Sequence, residues 1–139
     1  MQLQGTHQFD ATPKVIWHAL FDPNVLKSCV PGAKIIQGSV QDGYKAEVET
    51  NFGPMMIGFR GDISVTEMKP YESMRLKGKS RGLADITLEE RDGKTLLTYE
   101  VSVTIGGRFG RLGEGVATSF AKSMVEAFFS ELDQIVVNA

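Results

Sequence analysis

Five turn-forming pairs, Asp42-Gly43, Gly53-Pro54, Lys69-Pro70, Arg81-Gly82 and Asp92-Gly93, punctuate the middle of the chain, and no other feature restricts the fold as much. Glycine and proline supply the backbone angles that tight turns require. Between the pairs lie segments with period-2 alternation, which predict strands over 33–40, 43–52, 54–68, 71–80, 83–91 and 94–105. Connections this short force neighbouring strands to run antiparallel. A further strand precedes them at 2–10, where Leu3, Gly5, His7 and Phe9 alternate with Gln2, Gln4, Thr6, Gln8 and Asp10.

The rest of the chain has helical signals. In "ATPKVIWHALFDP" Thr12 stands at an N-cap position and Pro13 at the first helical position, where its missing N–H costs nothing. Asp22-Pro23 ends that helix and starts a second short one, which stops before Pro31-Gly32. From about Arg108 the apolar period becomes 3.6: Leu112, Val116, Phe120, Met124, Ala127, Phe128 and Ile135 form a stripe, with Lys122, Glu126, Glu131 and Asp133 mostly off it. This predicts one long helix to about Val137. It is the only large element available to cover a face of the sheet. The expected architecture is α+β, a seven-stranded antiparallel sheet curved around a long C-terminal helix, with two short helices between strands 1 and 2. Residues 1–139 are expected to form one domain.

A sheet bent around one helix leaves room for a cavity. Phe9, Tyr44, Val48, Phe52, Phe59, Ile63, Met74, Leu76, Ile86, Leu97, Tyr99, Val101 and Val103 are expected to face it. Gly5, Ala46, Gly61 and Gly78 are small at inward positions, which fits either a cavity or relief of crowding where the helix crosses.

The formal net charge is −2, with 15 basic and 17 acidic side chains interspersed, so nucleic acid is not an expected partner. A single cysteine cannot form an internal disulfide and fits a reducing compartment. "MQLQGTHQFD" lacks the basic and apolar regions of a signal peptide, and no run reaches the ~20 apolar residues that span a bilayer. The expected location is the cytoplasm.

Few residues offer chemistry. Cys29 falls near the C-terminal end of a short helix, where the dipole disfavours a thiolate, and Lys27 points elsewhere on that helix. It reads as a small buried residue. His7 shares a face with Leu3 and Phe9 and reads as a hydrogen-bonded core residue or as a contact to a polar ligand head; His18 reads as surface. One cysteine and two distant histidines do not make a metal site. Glu47, Glu49, Asp85 and Glu89 alternate with apolar positions and should face water, so no pair of inward acids is expected. "GGRFGRLGEG" matches no phosphate-loop pattern and reads as a hinge at Gly106-Gly107, with Arg108 and Arg111 exposed near the helix start. Met55 and Met56 are adjacent and cannot both face inward.

Several pieces together resemble the carbon monoxide dehydrogenase CoxG family of the START-like (SRPBCC) helix-grip superfamily. They are "ATPKVIWHALFDPNVLKSCVPG", "FGPMMIGFRG", "LTYEV" at 97–101, "GGRFGRLG" at 106–113 and "FF" at 128–129. The resemblance covers nearly the whole chain, and "LKSCVPG" is its most specific part. It implies a helix-grip fold and a non-enzymatic accessory to a molybdenum-containing CO dehydrogenase-type hydroxylase, acting in maturation, membrane recruitment or electron hand-off. It further implies a bound quinone- or lipid-like molecule and allows peripheral contact at the inner face of the membrane. The residues expected to line such a site are His7, Tyr44 and Tyr99 at the polar head; Phe52, Met56, Phe59, Met74 and Val101 from the sheet; and Val116, Phe120 and Met124 from the helix. Two other readings stay open: a small enzyme of the same fold, polyketide cyclase- or hydratase-like, using His7 with Tyr99, and a docking factor that holds no ligand.

Overall fold

The computed structural model describes the chain except for residues 80–81, 105–110, 112 and 138–139. The strands are β1 (Gln2–Phe9), β2 (Ala33–Ser39), β3 (Gly43–Phe52), β4 (Met55–Lys69), β5 (Ser73–Gly78), β6 (Gly82–Arg91) and β7 (Lys94–Val103). The helices are α1 (Pro13–Phe21), α2 (Pro23–Cys29) and α3 (Glu114–Val137). The expected hinge at Gly106-Gly107, Arg108, and Leu112 of the expected stripe lie outside the described residues.

The strands form one antiparallel sheet in the order β1-β7-β6-β5-β4-β3-β2. Hairpins join β2 to β7 in sequence, and β1 closes against β7. The α1–α2 segment therefore carries the chain from one edge of the sheet to the other. Asp22 serves both helices. It ends α1, and its Oδ1 accepts from the Asn24 N–H at 2.9 Å to cap α2, ahead of Pro23 at the first helical position.

Register sorts the two faces. Tyr99 pairs with Gly5 and Ile86, Ile86 with Met74, and Val48 with Phe59, which puts these side chains on the face that α3 covers. The main core lies there: Phe9, Ile16, Trp17, Cys29, Met74, Leu88, Leu97, Phe129, Leu132 and Val136 form one buried cluster.

The buried face of α3 differs from the expected stripe. Ala117, Phe120, Phe129, Leu132 and Val136 are buried, whereas Phe128 and Ile135 are half-buried and Val116 is exposed. In its second half the stripe is displaced by one residue. The cause is the sheet beneath, where the rings of Phe9, His7 and Tyr99 all gather on Phe129 rather than on Phe128. No helix among the described residues is long and apolar enough to cross a membrane.

Candidate functional site

Two groups of side chains meet between the sheet and α3. The first surrounds His7. Its Nε2 lies 2.9 and 3.0 Å from the two carboxylate oxygens of Asp133 on α3. Its ring stacks on Phe129 with centroids 4.8 Å apart and tilts against Phe9 at 4.6 Å. Tyr99 also tilts against Phe129, at 5.7 Å. Burial, and then the charge of Glu126, push the Tyr99 phenol pKa upward, so the group stays protonated at neutral pH. The Tyr99 ring also lies across its cross-strand partner Gly5, where a Cβ would meet the phenol oxygen at 2.6 Å. The small residue at position 5 thus makes room for an aromatic ring. His7 and Tyr99 share Phe129 as a neighbour, but the imidazole's partner is Asp133.

Asp133 was legible in principle. Phe129, Leu132, Asp133 and Val136 follow i, i+3, i+4, i+7, so the buried stripe carries a carboxylate. A half-buried acid in an apolar row calls for a partner on the facing strand, and His7 is the imidazole there.

The second group is aromatic. Phe52 of β3 and Phe59 of β4 both meet Phe120 of α3 edge-on, with centroids 5.4 and 6.4 Å apart. Phe120 is buried, but Phe59 is 43% and Val116 36% exposed, so this contact leaves large apolar surface uncovered. Beyond Ile63 β4 has no pairing with β5, and β3 has none with β2 beyond Val48, so Phe52 and Phe59 ride on a projecting hairpin.

The other expected site residues divide. Val101 lies on the inner face opposite Leu3, and Met124 is half-buried on α3. Met74 is 3% exposed within the main core. Tyr44 is tied down: its hydroxyl donates to the Phe21 carbonyl at 2.6 Å, joining β3 to the end of α1. Burial, and then Asp22, push its pKa up. Met56 is separated from the rest. It pairs with Asn51, on the opposite face from Phe52 and Met55, and is 60% exposed. Period-2 alternation allows one inward methionine at 55–56, and the register makes it Met55.

Beside the projecting hairpin are two adjoining depressions, of about 730 and 580 Å³. They share Gln37, Lys45, Asp62, Ile63, Gly78 and Lys79. A Cβ added at Gly61, in the wall of the second, would meet nothing within 4 Å. Among the described residues no three metal-ligating side chains gather.

Cys29 is 1% exposed in the main core, on the last turn of α2. Burial, and then the charge of Glu131, raise its thiol pKa to about 11. Native protein at pH 8 should therefore react with a thiol-specific disulfide reagent at least ~100-fold more slowly than urea-unfolded protein, because only the thiolate attacks. The folded-state pKa is raised, so this group's contribution to stability is complete below the unfolded thiol's ordinary value of ~8.5. It is lost as pH rises towards about 11. Equal reaction rates in the two states would contradict the buried placement.

Known structures share the fold. A conserved protein from Geobacillus kaustophilus is 25% identical, with 99% of this chain and 96% of that one covered and a TM-score of 0.88. A protein of Chromobacterium violaceum (17% identity, 98% and 97% covered, TM-score 0.73) and the Aha1 dimer from Colwellia psychrerythraea (16%, 98% and 96%, 0.64) are similar in fold. No curated protein matches the sequence. The family model of the carbon monoxide dehydrogenase G-subunit (CoxG) matches residues 5–137, and with that match over nearly its full length the chain belongs to the CoxG family.

Proposed function

We propose that this protein is a non-enzymatic accessory of a molybdenum-containing CO dehydrogenase-type hydroxylase, and that it carries a quinone- or lipid-like molecule between its sheet and α3. Family membership supports the accessory role. The observation that carries the ligand reading is the half-open aromatic contact of Phe52, Phe59 and Phe120, with Phe59 and Val116 left exposed on the face that a carrier would use. A ligand seated there would gain about 25 cal/mol for each Å² of apolar surface removed from water. Val101 and Met124 extend the apolar wall, and Tyr99 offers a protonated hydroxyl near His7. The protein would work in the cytoplasm and at the inner face of the membrane, where a soluble dehydrogenase meets an apolar electron acceptor.

Extraction of the purified protein with organic solvent, followed by mass spectrometry, tests this reading. An isoprenoid quinone or lipid should be recovered at close to one per chain, and Phe120→Ala should reduce its recovery at least ~5-fold, on the scale of one lost aromatic contact. Absence of any extracted apolar molecule, together with no calorimetric binding of a soluble short-chain quinone, would refute the carrier. The His7–Asp133 pair favours one competing reading, a small acid–base enzyme. In that case His7→Gln would abolish turnover while leaving the extracted ligand in place.

A further inference from the structure

Past the end of β5, one edge of β4 is bare. The β4–β5 ladder stops at Ile63 opposite Gly78, and no described strand pairs with β4 on that side from Met55 to Gly61. The last contact there is the Lys79 N–H, which donates to the Asp62 carbonyl at 3.2 Å. Backbone groups alternate between the two edges of a strand, so the N–H and C=O of Met56, Gly58 and Arg60 point the same way as that carbonyl. Edges of this kind are commonly guarded by lysine, proline or a bulge. From Met55 to Phe59 this one carries no charge, no proline and no register shift.

Side chains on both faces of the edge are uncovered as well. Met55, Ile57 and Phe59 lie on the inner face, opposite Phe52, Thr50 and Val48 of β3; Met56, Gly58 and Arg60 lie on the outer one. Phe59 and Met56 are both exposed.

A second copy of the same strand, laid antiparallel along this edge, has few registers open to it. Inner side chains must oppose inner ones, and the free backbone groups must meet one another. Lys79 continues the Ile63–Gly78 register and occupies the place opposite Asp62, so the incoming turn at Gly53-Pro54 reaches no farther than Arg60. The longest pairing left sets Ile57 opposite Ile57 of the second copy, on a two-fold axis. Met55 then faces Phe59, Met56 faces Gly58, and Pro54 faces Arg60. Each Met56–Gly58 pair exchanges its free backbone hydrogen bonds, and the missing side chain at Gly58 makes room for Met56. Met55 of one copy covers the exposed Phe59 of the other, and no like charges are opposed.

We propose that this protein dimerises through β4, so that its seven-stranded sheet continues across a two-fold axis at Ile57 into the sheet of a second copy. The second copy thereby supplies Met55 to the rim of the Phe52–Phe59–Phe120 contact. The pairing needs no ligand and stands apart from the carrier reading.

Sedimentation velocity over a range of wild-type concentrations should show a monomer–dimer equilibrium with a Kd of roughly 1–100 µM, as expected where two short strands make the contact. Ile57→Lys and Ile57→Glu should each weaken association at least ~10-fold, because like charges would meet on the axis, and an equal mixture of the two should recover it. Mild oxidation reads the register separately. Ile57→Cys should form a disulfide-linked dimer at least ~10-fold faster than Met56→Cys, although Met56 is the more exposed residue. Residues directly opposed in such a pair stand ~4.5 Å apart at Cα, within disulfide range, whereas the two Met56 positions are offset along the ladder and out of reach. The native Cys29 is buried and does not compete. Should circular dichroism show either charged variant unfolded, the cysteine pair decides alone. A wild-type monomer at concentrations well above that range overturns the proposal. So does a dimer in which Met56→Cys links as fast as Ile57→Cys, which would place the contact elsewhere.

Discussion

Phe9→Ala should lower stability by about 4 kcal/mol, which corresponds to a fall in Tm of roughly 15 °C for a chain of this size. Phe9 is fully buried, and its ring touches both His7 at 4.6 Å and Phe129 at 5.6 Å. It thus joins β1, an edge strand, to α3. Truncation removes the apolar area and leaves a cavity whose walls are held by the β1–β7 ladder, which runs without a shift from Gln2 to Phe9. A site that cannot collapse lies at the costly end of the range for large-to-small changes. Urea unfolding followed by circular dichroism measures the effect, and Ile35→Ala is the control. Ile35 is 44% exposed, and its loss should cost under about 1 kcal/mol. A Phe9→Ala effect below about 1.5 kcal/mol would mean that β1 and α3 are not packed as described.

Gly32→Ala should cost about 3 kcal/mol or more, and the reason is backbone rather than core. Gly32 has φ +77°, and a Cβ there would stand 2.2 Å from the Glu49 carbonyl oxygen. The same glycine's carbonyl accepts from the Glu49 N–H at 2.9 Å, so moving away to relieve the overlap breaks that hydrogen bond. Gly93 isolates the conformational part of the cost. Its φ is +78°, but a Cβ would meet nothing within 4 Å, so Gly93→Ala should cost only about 1–2 kcal/mol for the left-handed backbone. Equal losses for the two variants would show that contact with β3 contributes nothing at Gly32. The "CVPG" tetrapeptide is therefore explained by shape: Cys29 packs from the last turn of α2 into the main core, and Gly32 lets the chain pass against β3.

Much of this architecture was legible because turn chemistry is local. Each glycine- or proline-marked pair fixes a reversal without reference to the rest of the chain, so all seven strands and both short helices fall within a few residues of their expected limits. What was not legible depends on contacts between distant segments. Alternation assigns Met55 and Met56 to opposite faces but does not say which is inward; pairing of Phe52 with Met55 does. The helical period identifies α3 but not its rotation, which is set where Phe9, His7 and Tyr99 meet Phe129. The His7–Asp133 contact spans 126 residues of sequence and follows from that rotation. The two depressions beside the hairpin likewise lie where strand lengths mismatch, since β4 has 15 residues and β5 has 6.

The placement of the core along α3 has a mechanical consequence. The helix has 24 residues, and its main contacts run to β1, α1 and α2. Phe129, Leu132 and Val136 anchor its second half in the main core, whereas Ala117 and Phe120 lie outside that cluster. A rod held near one end is a cantilever. At 1.5 Å per residue, a pivot of about 5° at Leu132 carries the backbone at Ala117, about 22 Å away, through about 2 Å. That travel is about half the width of a methyl group. Such a pivot would change the space beside Phe120 while the anchored end keeps its packing.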